Sequence, residues 1–367
     1  MKLKFLPLAA ATLLTACTAA AAGDDYKVTV TLPQSANGAT AFIVDYDNGA
    51  KLDSVMVENG KALFSGKIDK PVLARIVVDG NRVGNFILES GDISFGRNTP
   101  VKGGALNASL DKAMAGVETF QKKAQALPQD STYQAGMEQL SGEYDAYMDS
   151  VIRANADNPV GYLFFLQQAY ELDLPALRET LEKYPSMKGY SRTAKLLAAL
   201  EQKEKTQPGN KFLDFTIKND TVSQSLSDYV GKGRYTLVDF WASWCGPCIR
   251  QTKVIKELYA KYKDKGLDVI GVAVWDEPDN TFKAIKQHDL QWPCIVNAQT
   301  VPTDLYGISG IPCILLINPE GIIVSRDKMS QELIDAVDSA MAGFEPQAAA
   351  SVSADKDTAA VDSKLIF

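Results

Sequence analysis

Hydrophobic and polar positions change their period twice along the chain. Between Tyr26 and about Gly96, apolar residues recur at every second position in short runs separated by turn residues. Lys27-Val28-Thr29-Val30-Thr31 alternates, Ala41 to Tyr46 follows an Asn-Gly turn, and Asp53 to Val57 leads through Glu58-Asn59-Gly60 into Lys61 to Gly66; Ala74 to Val78 and Asn85 to Glu89 add two further runs. Period two with this punctuation predicts strands, and so a small all-β domain of sandwich type over residues 24–102. From Leu106 to Lys205 the residues are mainly Ala, Leu, Gln, Glu and Lys at helical spacing, broken at Pro128, Pro159, Pro175 and Pro185. About four or five helices fit this stretch, a helical spacer over 103–206. Within it, Tyr162, Leu163, Phe164, Phe165, Leu166 and Tyr170 read as core of the spacer, with a partner surface as the alternative.

After the charged run ending at Lys205 and the pair Pro208-Gly209, strand and helix patterns alternate. Tyr235 to Ala242 is apolar and β-prone except for Asp239, and Ile249, Thr252, Ile255, Leu258, Tyr259 and Tyr262 share one side of a helix. Strand Leu267–Val274, helix Asp279–Gln287, strand Cys313–Ile317, a turn at Asn318-Pro319-Glu320-Gly321, strand Ile322–Ser325 and helix Gln331–Ala342 follow. Such alternation predicts an α/β domain around a mixed sheet, residues 207–345. The Ala/Ser/Asp-rich end, residues 346–367, has the composition of a disordered tail.

The strand-to-helix junction carries Trp244-Cys245-Gly246-Pro247-Cys248. Two thiols separated by two residues can form and break a disulfide. At a helix start, unpaired N–H groups and the helix dipole stabilise a thiolate, lowering its pKa from roughly 8.5 to between about 3.5 and 7.5. Cys245 is therefore the expected attacker, exposed at the helix start, and Cys248, one turn further in, the shielded resolving sulfur. Gly246 permits close backbone approach, and Pro247 stiffens the first turn without losing a needed donor. The competing reading of C-x-x-C is half a zinc site, but the chain has one histidine, His288, and no second C-x-x-C. Asp239 stands in the middle of an apolar strand, where burial raises a carboxyl pKa unless the strand lies at a solvated edge.

With its flanks, Val238 to Cys248 closely resembles the active-site stretch of thioredoxins, and Tyr306-Gly307-Ile308-Ser309-Gly310-Ile311-Pro312 resembles the loop in which that family carries a cis-proline facing its dithiol. The resemblance runs from about Gln207 to Gly343 and is greatest to the secreted ResA/TlpA type, which adds a strand pair before the core. It implies a thioredoxin fold, proton relay by Asp239, a cis bond at Pro312, and a client-binding rim of Trp244, Gly310, Ile311 and Pro312, with Trp241 as core support. No cofactor or metal is implied, since the two sulfurs are the redox group. The β-domain resembles the DUF4369-like module that precedes thioredoxin domains in secreted Bacteroidetes proteins. Two positions depart from the pattern. Lys253 stands where relatives carry a helix-kinking proline, which implies a straighter helix, and Cys313 follows Pro312 where Thr is usual. Cys313 either fills the Thr volume as a buried thiol or pairs, with the dithiol or with Cys294.

A length of 367 residues, 46% hydrophobic, is enough for more than one core, as the three regions require. The net charge of −7 argues by its sign against a nucleic-acid partner and leaves no polybasic membrane patch. Lys2 and Lys4 precede an apolar run, Phe5 to Ala16, too short for the roughly 20 residues of a membrane span, so the run reads as a secretory signal. It ends in Leu14-Thr15-Ala16-Cys17, which resembles a bacterial lipobox and implies a signal over 1–17, lipidation of Cys17 and an outer-membrane lipoprotein facing the periplasm; ordinary cleavage between Ala20 and Gly23 is the alternative. The leading expectation is a lipid-anchored thiol-disulfide oxidoreductase that reduces protein disulfides, apocytochrome cysteines among them, and draws electrons from a membrane dithiol donor. A binding module that docks clients through the β and helical regions is the second. A peroxidase is the third, disfavoured because the Thr that usually precedes a lone peroxidatic cysteine is absent around Cys245.

Overall fold

The computed structural model describes residues 24–219 and 222–346, so the leader with Cys17 and the tail from residue 347 lie outside the described residues. The chain divides between Lys195 and Leu196 into two compact units.

In the first unit, β1 (Asp24–Thr31), β4 (Lys61–Ile68) and β7 (Gly91–Gly96) form a sheet of order β4-β1-β7, while β2 (Thr40–Asp45), β3 (Lys51–Met56), β5 (Val72–Val78) and β6 (Asn81–Leu88) form a second, β3-β2-β5-β6. Alternate residues of both, among them Val28, Val30, Ile43, Phe64, Ile76 and Phe86, share one core. The sandwich expected from the period-two runs is therefore present. β7 was not separated in the pattern because its two apolar residues, Ile93 and Phe95, lie between glycines; it pairs parallel to β1.

Five α-helices follow: α1 (Ala105–Gln125), α2 (Tyr133–Ala154), α3 (Pro159–Ala169), α4 (Leu174–Lys183) and α5 (Ser191–Lys205). The prolines act as starts rather than kinks. Asn158 caps α3 by accepting from the Val160 amide, and Asp173 caps α4 by accepting from Ala176, with a proline in the first turn of each. Tyr162, Phe164, Phe165 and Leu166 are buried, as a core reading requires. Tyr170 departs from it: it follows the last turn of α3 and is 54% exposed.

The second unit holds a hairpin of β8 (Thr216–Asn219) and β9 (Val222–Ser225), then β10 (Tyr235–Trp241), α6 (Gly246–Tyr262), β11 (Leu267–Ala273), α7 (Pro278–Gln287), β12 (Cys294–Ile295), α8 (Val301–Tyr306), β13 (Cys313–Ile317), β14 (Ile323–Arg326) and α9 (Ser330–Met341). The sheet order is β12-β11-β10-β13-β14, with β10 parallel to β11 and antiparallel to β13. This is the thioredoxin fold, with the extra strand pair that the resemblance implied. β10 is the middle strand, which excludes the solvated-edge reading of Asp239. Leu237, Val269, Ile314 and Leu316 face α6 and α9 through Ile255, Leu258, Leu333 and Val337. On the opposite face Val238, Phe240, Ile270, Val272 and Leu315 pack with Phe215, Ile217 and Tyr306. α6 runs unbroken through Lys253. β12 and α8 escaped the pattern because neither is long enough to show a period. No helix among the described residues is long and apolar enough to cross a membrane.

The loop after α8 lies against the last turns of α5. Gly307, at φ +60°, has no room for a side chain: a Cβ there would stand 2.0 Å from the Ala199 carbonyl oxygen. Gly307→Ala is expected to cost at least about 2 kcal/mol, from the left-handed backbone and the clash together. Urea unfolding at neutral pH checks this, and an unchanged midpoint would show that the loop does not need this close approach.

Candidate functional site

β10 ends at Trp241, and the chain turns through Ala242, Ser243 and Trp244 to Cys245, the N-cap of α6. The Cys248 amide donates to Cys245 Sγ at 3.2 Å, in the place a serine or aspartate oxygen takes at an ordinary N-cap. Cys245 and Cys248 are joined by a disulfide with an S–S distance of 2.06 Å. Pro247, in the first turn, lacks an N–H at a position where none would be bonded within the helix. Across from the pair, the Ile311–Pro312 peptide is cis, and the Ile311 carbonyl oxygen lies 3.7 Å from Cys245 Sγ.

The expected contrast between an exposed and a shielded sulfur is corrected by the structure. Cys245 is 3% exposed and Cys248 is wholly buried. Trp241, Ala242 and Ala284 enclose the pair, with Ile249, Ile285 and Ile311 packed around them. Gly246 and Pro247 are exposed, as is Trp244 at 62%. The Trp244 indole donates to the Trp275 carbonyl at 2.9 Å. Gly310 is exposed and a Cβ there would meet nothing within 4 Å, so steric room does not explain that glycine.

Asp239 lies between Leu237 and Trp241 on the same face of β10. Leu237 packs against α6, and Trp241 clusters with the two cysteines, so Asp239 faces the sulfur-bearing side of the sheet. It is buried, and its Oδ1 has no hydrogen-bond partner among the described residues. Burial without a compensating cation pushes its pKa up to about 7.

The two remaining thiols of the unit are free. Cys313 pairs in register with Phe240, whereas Cys294 lies in the row Asp239–Gly271–Cys294 across β10, β11 and β12. Neighbouring residues of a strand point to opposite faces, so the sheet separates the two sulfurs and the alternative of a Cys294–Cys313 bridge falls. Cys313 Sγ instead donates to Asp327 Oδ1 at 3.1 Å, which turns it away from the dithiol, and burial raises its pKa. Cys294 packs toward the dithiol cluster, over Gly271, where a Cβ would come within 2.7 Å of its sulfur. Burial first, then the nearby Asp239, push its pKa up to about 12. From sequence alone Cys294 is a candidate only as a partner for Cys313. The glycine inside strand β11 was the signal that another group approaches there.

Also missed were Ser243, Trp275 and Asp276. Asp276 is buried and its carboxylate is bonded to Ser243, 33 positions earlier. The string Asp276-Glu277-Pro278 signals only a helix start, and a cross-chain partner leaves no trace in local pattern.

A thioredoxin fold with a disulfide-forming cysteine pair at the start of α6 and a cis-proline loop facing it defines the class of thiol-disulfide exchange proteins. Residues 208–326 match the AhpC/TSA family, and residues 26–110 match a domain of unknown function, DUF4369. The thiol-disulfide oxidoreductase ResA of a Bacillus cereus strain is 32% identical over 126 residues, covering 34% of this chain and 71% of that protein. ResA of Oceanobacillus iheyensis is 34% identical over 120 residues, 31% of this chain and 62% of that one. Among solved structures, the thioredoxin domain of a thiol-disulfide oxidoreductase from Bacteroides vulgatus is 31% identical, covering 36% of this chain and 97% of that one with a TM-score of 0.33. The chain belongs to the ResA family of thiol-disulfide oxidoreductases.

The Asp239 shift fixes the sign of a pH effect. Its folded pKa, about 7, lies above the ordinary carboxyl value, so wild-type stability falls as pH rises through the window between the two. Asp239→Asn escapes that loss. The variant should gain on the order of 4 kcal/mol relative to wild type between about pH 4 and pH 8. Urea unfolding across that range checks this, and a difference that does not change with pH would contradict it.

Proposed function

We propose that the protein is a lipid-anchored, extracytoplasmic reductant of protein disulfides. Reduced Cys245 attacks a sulfur of a client disulfide; that S–S bond breaks, one client sulfur leaves as a thiolate and the other is held in a mixed disulfide. Cys248 then attacks Cys245 Sγ, expelling the second client thiolate and leaving the Cys245–Cys248 disulfide. Two electrons have passed to the client, and a membrane dithiol carrier returns the pair to the dithiol. Asp239 takes the Cys248 proton as that thiol becomes nucleophilic, a role suited to a carboxyl whose pKa is about 7 and whose Oδ1 is unoccupied. Trp244, Gly310, Ile311 and Pro312 form the rim on which the client backbone lies as an added strand. The protein is secreted and held at the periplasmic side of the outer membrane through acylated Cys17, where apocytochrome cysteines are among the clients it meets.

One observation carries this reading: the Cys248 amide is directed at Cys245 Sγ where a helix begins, the arrangement that stabilises a thiolate on that sulfur. Cys248→Ser should accumulate a mixed disulfide with a peptide disulfide, and Cys245→Ser should lose insulin reduction altogether. A Cys248→Ser protein that traps nothing, or turnover that survives Cys245→Ser, would overturn the proposal.

The anchor has its own test. Intact mass of the mature protein should correspond to an N-terminal Cys17 carrying acyl chains. An unmodified N-terminus beyond residue 17 would remove the membrane from the proposal.

A further inference from the structure

We infer that Asp276 is a positioning residue for Cys245, an inference that rests on the exchange chemistry proposed above. Asp276 lies between β11 and α7 and is 5% exposed. Its Oδ2 accepts from the Ser243 amide at 2.7 Å and from Thr281 Oγ1 at 2.8 Å; its Oδ1 accepts from Ser243 Oγ at 2.8 Å and from the Glu277 amide at 3.0 Å. The Asp276 carbonyl accepts from Gln299 Nε2 at 2.8 Å. Asp276 is thus fixed by the first turn of α7 and by the loop after β12, and it presents both carboxylate oxygens to Ser243.

Ser243 stands two residues before the sulfur. Trp244, between them, is held by the same loop through the bond from its indole to the Trp275 carbonyl. Trp275 has φ +52°, a conformation that bulky side chains rarely adopt and that persists where surrounding bonds over-determine it. The turn that places Cys245 is therefore fixed from outside, by residues 275 and 276. Cys245 Sγ receives the Cys248 amide only while this turn keeps the N-cap geometry. Without the Ser243 bonds the turn gains freedom, the amide loses its alignment on the sulfur, and the in-line approach to a disulfide is lost with it. Asp276 touches no reacting atom and acts through Ser243.

The test uses the reduced full chain with Asp276→Ala, Asp276→Asn and Ser243→Ala. The readouts are the pH profile of Cys245 alkylation by iodoacetamide and the division of insulin reduction into kcat and KM. Asp276→Ala should slow alkylation at neutral pH by about tenfold or more, move its pH midpoint upward, and lower kcat with KM little changed. Ser243→Ala, which removes only the hydroxyl bond, should slow it about two- to threefold, and Asp276→Asn, which keeps an acceptor for the Ser243 amide, should fall between. A folded Asp276→Ala protein with the wild-type rate and profile would overturn the inference. If that variant does not fold, wild-type behaviour in Ser243→Ala and Asp276→Asn overturns it equally. Failure of the exchange reading itself is distinguishable, because it would appear as absent turnover in the wild type.

Discussion

The amide of Cys248 directed at the sulfur of Cys245 is the interaction on which the redox unit depends. A cysteine in the N-cap position has its sulfur where the unpaired donors of a helix converge, and those donors favour negative charge on it. The sheet supplies the rest of the geometry. β10 is flanked on both sides and leads through the turn of Ala242, Ser243 and Trp244 to the N-cap of α6, so that turn starts from the central strand of the sheet. The loop that carries the cis peptide before Pro312 has its Ile311 carbonyl oxygen 3.7 Å from that sulfur.

The same central strand accounts for the behaviour of the buried acid. An aspartate at a sheet edge would be solvated, whereas Asp239 is sealed between Leu237 and Trp241 with one oxygen unpartnered. Burial therefore disfavours its charged form and raises its pKa to about 7. The sheet also sorts the other thiols. Cys313 is held by Asp327 on the far face, while Cys294 occupies the sulfur side over the bare backbone of Gly271.

Much of this was legible before any coordinates. Period-two runs located six strands of the first unit, and the prolines at 159 and 175 marked breaks in the helical pattern, which the structure makes helix starts. In the second unit the long strands and helices were readable because each carries several apolar residues in register, and the C-x-x-C string located the site. The missing elements were short: β12 has two residues and α8 six, too few to show a period. The misjudged features depend on tertiary neighbours. The covering of Cys245 comes from Ala242, Ala284 and Ile311, Tyr170 leaves the core by one turn of helix, and the Asp276–Ser243 bonds join segments with no local signature. Local pattern reports which face a residue takes; it does not report what arrives from elsewhere in the chain to meet it.

The last turns of α5 have a consequence for cutting the molecule. Arg326 is 8% exposed, and its guanidinium donates to the Thr206 carbonyl at 3.4 Å, to Thr206 Oγ1 and to the Tyr306 carbonyl at 3.0 Å. Gly307 meets the backbone of Ala199 and Lys203. An excised redox fragment starting at Gln207, where the sequence motif begins, would leave that cation without two of its acceptors and uncover the loop beside the cis-proline. The energetic border of the unit lies about three helical turns upstream of the motif, inside a segment that composition alone assigns to the spacer.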